Sequence, residues 1–70
     1  MNTLKVNGQN YSYKDGSMPK TVTDLLLSLG IDSAAVVAEL DGQVIEQANF
    51  SKTKLQHGQT IELVRFVPGG

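Results

Sequence analysis

One short segment, residues 21–30, has the residue spacing of an amphipathic helix, and it limits the folds open to this chain. Its large apolar residues follow the i, i+3, i+4, i+7 spacing that places side chains on one helix face: Val22, Leu25, Leu26 and Leu29. Thr21 precedes Asp24 by three residues, as in a capping box, and Gly30 supplies a left-handed C-terminal cap. We therefore predict one short helix whose apolar face is covered by the rest of the chain.

The remaining apolar residues are arranged as strands separated by turns. Alternating and β-branched segments predict strands at Leu4–Val6, Tyr11–Tyr13, Val36–Leu40, Gln43–Ile45 and Thr60–Val67. Asn7-Gly8 and Asp41-Gly42 are typical of hairpin turns that need positive φ angles. His57-Gly58-Gln59 predicts a further turn before the last strand. These turn signals separate the two strands of each predicted hairpin and precede the last strand.

The order of these elements predicts an α+β fold, in which a mixed sheet of about four to five strands packs on one helix. The last strand is expected to lie parallel to the first, so that the chain leaves the sheet at an open end. Residues 46–54 are polar and predict only a surface connection, held to the core by Phe50 and Leu55. About 60 residues bury only roughly 60% of their surface, which leaves no room for a second core. We predict one domain at residues 1–67 and a flexible tail at residues 68–70.

The composition excludes several classes of function. The chain has no cysteine, so it has no disulfide framework, no thiolate zinc site and no side-chain thiol. Six basic and seven acidic residues give a net charge of −1, and the lysines are scattered, which disfavours nucleic-acid binding. There is no signal pattern and no apolar run near the roughly 20 residues that span a bilayer. We expect no membrane association and a cytoplasmic location.

No side-chain constellation predicts catalysis or a metal site. The sequence lacks a phosphate-binding glycine loop, a His-Glu-x-x-His motif and a Gly-x-Ser-x-Gly motif. The only histidine, His57, lies in a predicted turn, and we interpret it as a solvent-facing residue because a general base needs an oriented partner. The carboxylates are spread over caps, turns and solvent-facing strand positions, so none is assigned to catalysis.

The C-terminus is the strongest candidate for chemistry. Two terminal glycines, Gly69-Gly70, arise by chance in roughly one chain in 200, and here they follow a long apolar strand with only Pro68 between. The terminal carboxylate can attack the α-phosphorus of ATP on a partner enzyme, and a sulfur nucleophile can then displace AMP to leave a thiocarboxylate on Gly70. A tail without Cβ atoms can thread a narrow channel in that partner. The competing interpretation is an inert chain end.

These segments together resemble the ThiS family, the sulfur carriers of thiamine biosynthesis, which have the ubiquitin-like β-grasp fold. The resemblance covers essentially the whole chain and rests on Leu4–Gly8, Thr21–Leu26, Asp41-Gly42, His57–Gln59 and Ile61–Gly70. The family more often has Asn-Gly where this chain has Asp41-Gly42, and Asp-Gly-Asp where it has His57-Gly58-Gln59. Both departures keep the glycine. Pro68 also departs from the pattern. It fixes φ near −65° and favours an extended tail.

The resemblance implies a protein co-substrate that binds no cofactor of its own and is not an enzyme. It implies an E1-like adenylyltransferase that uses ATP, a cysteine desulfurase or other persulfide donor, and thiazole synthase as the sulfur acceptor. Three alternatives stay open from the sequence: the sulfur-carrying small subunit of molybdopterin synthase, a ubiquitin-like protein modifier, and a plain interaction module with an inert terminus.

The period-two geometry of the last strand predicts where partners dock. Ile61, Leu63 and Arg65 face one side, whereas Glu62, Val64 and Phe66 face the other. Ile61 and Leu63 are expected to join the helix leucines in the core. Val64 and Phe66 then lie on the open face of the sheet beside the tail, where they would anchor partner proteins. The alternative is that the connection at residues 46–54 covers them.

Overall fold

The structure is a computed structural model, and it describes residues 1–67. Five strands form one sheet in the order β2-β1-β5-β3-β4: β1 Asn2–Val6, β2 Gln9–Tyr13, β3 Val36–Leu40, β4 Gln43–Ile45 and β5 Thr60–Arg65. β1 and β5 are parallel, and the other neighbouring pairs are antiparallel. Helix α1 (Val22–Leu29) contributes its apolar face to the shared core. The predicted α+β fold is therefore confirmed, including the parallel pairing of the first and last strands.

The two ends of α1 are fixed as the sequence predicts. Thr21 Oγ1 accepts a hydrogen bond from the backbone N–H of Asp24 at 3.1 Å, and Asp24 Oδ2 accepts one from the backbone N–H of Thr21 at 3.2 Å. Gly30 adopts φ 69° at the C-terminal cap, and Ile31 N–H donates to the Leu26 carbonyl at 2.9 Å. These contacts satisfy backbone groups that a short helix otherwise leaves unpaired.

The hydrophobic core lies between α1 and one face of the sheet. Its buried members are Leu4, Val6, Val22, Leu25, Leu26, Val36, Ala38, Phe50, Leu55, Ile61 and Leu63. Leu29 was predicted to be a core residue, but it is only partly buried at the edge of this cluster, where the helix ends. Phe50 and Leu55 are buried, which confirms that they hold the preceding connection to the core.

The connection at residues 46–54 has a local structure that the sequence did not predict. It contains a 3-10 turn at Gln47–Asn49, in which Asn49 N–H donates to the Glu46 carbonyl at 2.8 Å. The carbonyl of Thr53 accepts a hydrogen bond from Val22 N–H at 3.1 Å, so the connection is joined to the first turn of α1. It therefore packs beside the helix and leaves the open face of the sheet uncovered.

The last strand is shorter than predicted. β5 ends at Arg65 rather than Val67, because its partner β3 begins at Val36, directly opposite Arg65. The chain before β3 forms a 3-10 turn at Ser33–Ala35. Within residues 1–67, one further hydrogen bond joins these segments, from Phe66 N–H to the Ala35 carbonyl at 3.0 Å. The predicted tail at residues 68–70 lies outside the described residues.

Candidate functional site

The central position of β5 determines where the C-terminus leaves the sheet. β5 lies between β1 and β3, with Val6 opposite Ile61 on one side and Val36 opposite Arg65 on the other. The hydrogen bond from Phe66 N–H to the Ala35 carbonyl extends the contact with the β3 side by one residue. The predicted site residues Pro68, Gly69 and Gly70 lie outside the described residues, and they begin two residues after Phe66.

The side chain of Asn7 extends the pairing of β5 beyond the end of β1. Asn7 N–H donates to the Ile61 carbonyl at 2.9 Å, as a strand residue would. Its side-chain Oδ1 accepts from Leu63 N–H at 2.7 Å, and its Nδ2 donates to the Leu63 carbonyl at 3.2 Å. One amide side chain thus replaces a backbone partner for Leu63. Sequence reasoning identified Asn7 only as a turn residue, because its long-range contact depends on the parallel pairing.

The open face of the sheet carries exposed apolar side chains next to the C-terminal exit. Ile61 and Leu63 are buried, whereas Val64 is 63% and Phe66 47% exposed, so the predicted division of faces is confirmed. Val37 of β3 lies directly opposite Val64 and is 44% exposed. We call Val37, Val64 and Phe66 the open-face patch. The docking role of Val64 and Phe66 stays a prediction, and Val37 was missed because its register with β5 is not visible in the sequence.

Two glutamates continue the same face beside the open-face patch. Glu39 of β3 lies directly opposite Glu62 of β5, two residues along each strand from Val37 and Val64. Neither glutamate makes a salt bridge with another residue among positions 1–67. The ion pair found in that range joins the N-terminal amine to Asp15 at 3.4 Å. The sequence interpretation placed Glu39 and Glu62 on solvent-facing strand positions without pairing them.

His57 and Tyr13 lie at the opposite end of β1 from this exit, and His57 has a structural role. His57 is exposed, but its Nδ1 accepts a hydrogen bond from Thr3 N–H at 2.9 Å, and Gly58 N–H donates to the Thr3 carbonyl at 2.8 Å. The histidine therefore joins the turn before β5 to β1. Burial raises the pKa of the Tyr13 phenol on the edge strand, and neighbouring Tyr11 adds to the effect. No group of metal-ligating side chains occurs within positions 1–67.

Neither the helix nor the 3-10 turns within the described range are long and apolar enough to cross a membrane.

Comparison with known proteins identifies one family. The model of the ThiS family matches residues 4–70, a range that includes the terminal diglycine. The "Sulfur carrier protein ThiS" of Bacillus subtilis (strain 168) is 30% identical over 67 residues, which cover 96% of this chain and 98% of that protein. The crystal structure of ThiS from Geobacter metallireducens has a TM-score of 0.76 and 38% identity, covering 97% of this chain and 99% of the other. The solution structure of a thiamine biosynthesis protein from the same organism has a TM-score of 0.73 and 38% identity, covering 100% and 88%.

A larger protein also contains a similar stretch. The "Thiazole synthase" of Paramagnetospirillum magneticum (strain ATCC 700264 / AMB-1) is 30% identical to this chain over 67 residues, which cover 96% of this chain. The chain spans only 20% of the length of that thiazole synthase.

Proposed function

The chain belongs to the ThiS family, and from that membership we propose that it carries sulfur as a thiocarboxylate on the C-terminal Gly70. It is a sulfur carrier protein of thiamine biosynthesis and not an enzyme. The observation that carries the proposal is the central strand β5, paired on both sides, which leads directly to a diglycine end in a chain without cysteine. A protein that has no thiol of its own can still hold sulfur on its terminal carboxylate.

The proposed chemistry takes place on partner enzymes. The Gly70 carboxylate attacks the α-phosphorus of ATP bound to an E1-like adenylyltransferase, pyrophosphate leaves, and an acyl adenylate forms. A persulfide sulfur, supplied by a cysteine desulfurase or another donor, then attacks the carbonyl carbon and displaces AMP. Cleavage of the resulting S–S bond by a thiol leaves the thiocarboxylate on Gly70. The absence of Cβ atoms in Gly69 and Gly70 suits passage through a narrow channel, and Pro68 limits the conformations of the approach.

Thiazole synthase is the proposed acceptor of the sulfur. Support comes from the thiazole synthase described above, which contains a stretch similar to this chain within a single polypeptide. Such an arrangement is expected where the carrier and the acceptor enzyme work on each other. The relatives reported above favour the thiamine pathway over the molybdopterin pathway and over protein modification. We place these steps in the cytoplasm.

Partner enzymes are proposed to dock on the open-face patch. Val64 on β5 and Phe66 directly after its end are exposed apolar side chains, and Val37 of β3 extends the same surface. An exposed apolar patch of this kind marks an interaction site in many soluble proteins. A partner seated there would hold the domain while the tail enters its active site.

The test is ATP–pyrophosphate exchange catalysed by the adenylyltransferase from the same host. Deleting Gly70, or adding one residue after it, should abolish exchange because the reacting carboxylate is removed or displaced. Both variants should unfold at the wild-type denaturant concentration. An added residue before Met1 is the matched control and should leave exchange unchanged. Exchange at the wild-type rate with the deletion variant would refute the proposal.

A further inference from the structure

The strand β2 forms a free edge of the sheet. It stands first in the strand order, so it pairs with β1 on one side, and among residues 1–67 no strand lies on its other side. Outside its ladder with β1, residues 9–13 make no further backbone–backbone hydrogen bond within that range. The outer side of β2 therefore presents backbone groups without a protein partner in the described part of the chain.

The hydrogen bonds of β1 identify which groups of β2 point outward. The N–H of Lys5 donates to the Gln59 carbonyl at 3.0 Å, and both backbone groups of Thr3 bond to the turn before β5. These groups point away from β2, so the residues opposite them, Asn10 and Ser12, are in non-hydrogen-bonded pairs with β1. The N–H and carbonyl groups of Asn10 and Ser12 therefore point to the free edge.

β2 lacks the features that usually protect a sheet edge. Soluble proteins protect edge strands by shortness, charged side chains, proline or a β-bulge. β2 has five residues, none of which is charged or proline, and it pairs with β1 residue for residue without a bulge. The other edge strand, β4, is only three residues long and is followed by Glu46. β2 is thus the edge to which a further strand can add.

We propose that a second copy of this chain adds its own β2 to this edge, antiparallel and related by a two-fold axis. A hydrogen-bonded antiparallel pair needs outward groups on both strands, and each such pair exchanges two backbone hydrogen bonds. Asn10 of one copy opposite Ser12 of the other meets this condition on both sides of the axis. Tyr11 then lies opposite Tyr11, and Gln9 opposite Tyr13, so every residue of β2 is paired. A shift by two residues meets the same condition but pairs fewer residues of the strand.

The side chains of β2 are compatible with their own copy in this register. No charged residue lies within β2, and Lys14, which follows it, would lie opposite Gly8. Tyr11 faces the helix side of the sheet, because its partner Leu4 is buried, and it is only partly buried itself. The two Tyr11 rings would meet at the axis, and aromatic cross-strand pairs stabilise a sheet. Such self-complementarity is what a two-fold interface requires.

Pairing through β2 leaves the open-face patch accessible. β1 separates β2 from β5, and the patch lies on the β5 and β3 side of the sheet. Both copies could therefore present their C-terminal exits, and the pairing is independent of the proposed function. The contact is limited to two strands, so it falls below the size of a stable interface, and we expect a dissociation constant on the order of 0.1–1 mM.

Amide hydrogen exchange of the full-length protein tests the pairing at individual residues. By mass action, the Asn10 and Ser12 amides should exchange about two- to threefold more slowly at about 2 mM protein than at about 0.02 mM. The Tyr11 amide points to β1 and is the internal control, with exchange that does not depend on protein concentration. Sedimentation should show the dimer over the same range. A monomer at about 2 mM, or Asn10 and Ser12 exchange that is independent of concentration, would overturn the proposal.

Two charge variants that differ only at position 12 test the register. Asn10→Glu/Ser12→Glu places like charges directly opposite each other at both pairs, whereas Asn10→Glu/Ser12→Lys places opposite charges there. Both positions are exposed, and the glutamate at position 10 would lie opposite Lys5 of its own chain, so both variants should fold. The second variant should dimerise at least as tightly as the wild type, and the first about tenfold or more weakly than the second.

Equal dimerisation of the two charge variants would place the contact on another surface and overturn the proposal. If neither the wild type nor the variants dimerise, but the first variant binds the adenylyltransferase more weakly, a strand of the partner enzyme adds to β2 instead of a second copy. That result would overturn the choice of occupant and leave the proposed function intact.

Discussion

Leu26 is among the most buried side chains of the protein, at 1% exposure in the middle of α1. Replacing it with alanine should lower the free energy of unfolding by roughly 2–5 kcal/mol, because the change removes buried surface and leaves a cavity. The neighbouring Leu27 is 73% exposed and is the matched control, since Leu27→Ala should change stability by less than about 0.5 kcal/mol. Denaturant titration measures both values. A Leu26→Ala effect as small as that of the control would mean that the helix face is wrongly assigned.

Alanine substitutions at Phe66 and Leu63, near the C-terminal end of β5, separate an effect on partner binding from an effect on folding. Phe66→Ala should weaken binding to the adenylyltransferase and to thiazole synthase by more than about 1 kcal/mol, because apolar anchors at interfaces carry a large share of the affinity. It should destabilise the fold less than Leu63→Ala, whose side chain is buried. Calorimetric binding and denaturant titration give the two quantities. Normal partner binding by Phe66→Ala, or loss of the fold, would require the docking surface to be sought elsewhere.

The pairing of β1 with β5 is extended by the side chain of Asn7, which makes Asn7 a test at the level of strands. Asn7→Gly keeps the positive φ of this turn position, 50° in the structure, but removes the two side-chain hydrogen bonds to Leu63. It should cost about 1–3 kcal/mol, at about 0.5–1.5 kcal/mol for each of the two hydrogen bonds lost. The Leu63 amide should also exchange its hydrogen faster with solvent. Unchanged protection of that amide would show that the Asn7 contact does not hold β5.

The elements that could be predicted from sequence are those determined by local signals. The helix follows from the spacing of its leucines, and its ends follow from Thr21, Asp24 and Gly30, which make the expected cap contacts. The hairpin turn at Asp41-Gly42 has the expected positive φ angles of 47° and 86°. Asp41 has a further contact, since its Oδ1 accepts a hydrogen bond from Thr60 N–H at 2.9 Å. That bond joins positions far apart in sequence and could not be predicted locally.

The features that escaped prediction depend on tertiary register. The end of β5 at Arg65 is set by where β3 begins, and the pairing of Glu39 with Glu62 is set by the alignment of the same two strands. The role of Phe50 was predictable from its isolation among polar residues. The 3-10 turn before it was not, because its sequence has no strong turn signal. Local sequence patterns therefore predicted well which residues are buried. They did not predict which exposed residues are neighbours across two strands.

The two faces of the sheet differ in burial across the whole protein. One face of the sheet and α1 form the core, which supports the fold, while the opposite face carries exposed apolar side chains beside the C-terminal exit. Membership of the ThiS family assigns the protein to sulfur transfer in thiamine biosynthesis. On the proposed function, the open-face patch directs partner enzymes to the end of β5 that leads to Gly70.

The intact mass of the protein after incubation with the adenylyltransferase, ATP and a persulfide donor tests the role of Gly70 most directly. We predict a mass increase equal to the replacement of one oxygen by sulfur, located in the C-terminal peptide and absent from the Gly70 deletion variant. An unchanged mass, sulfur on a peptide other than the C-terminal one, or covalent linkage to a lysine of another protein would contradict the proposed carrier function.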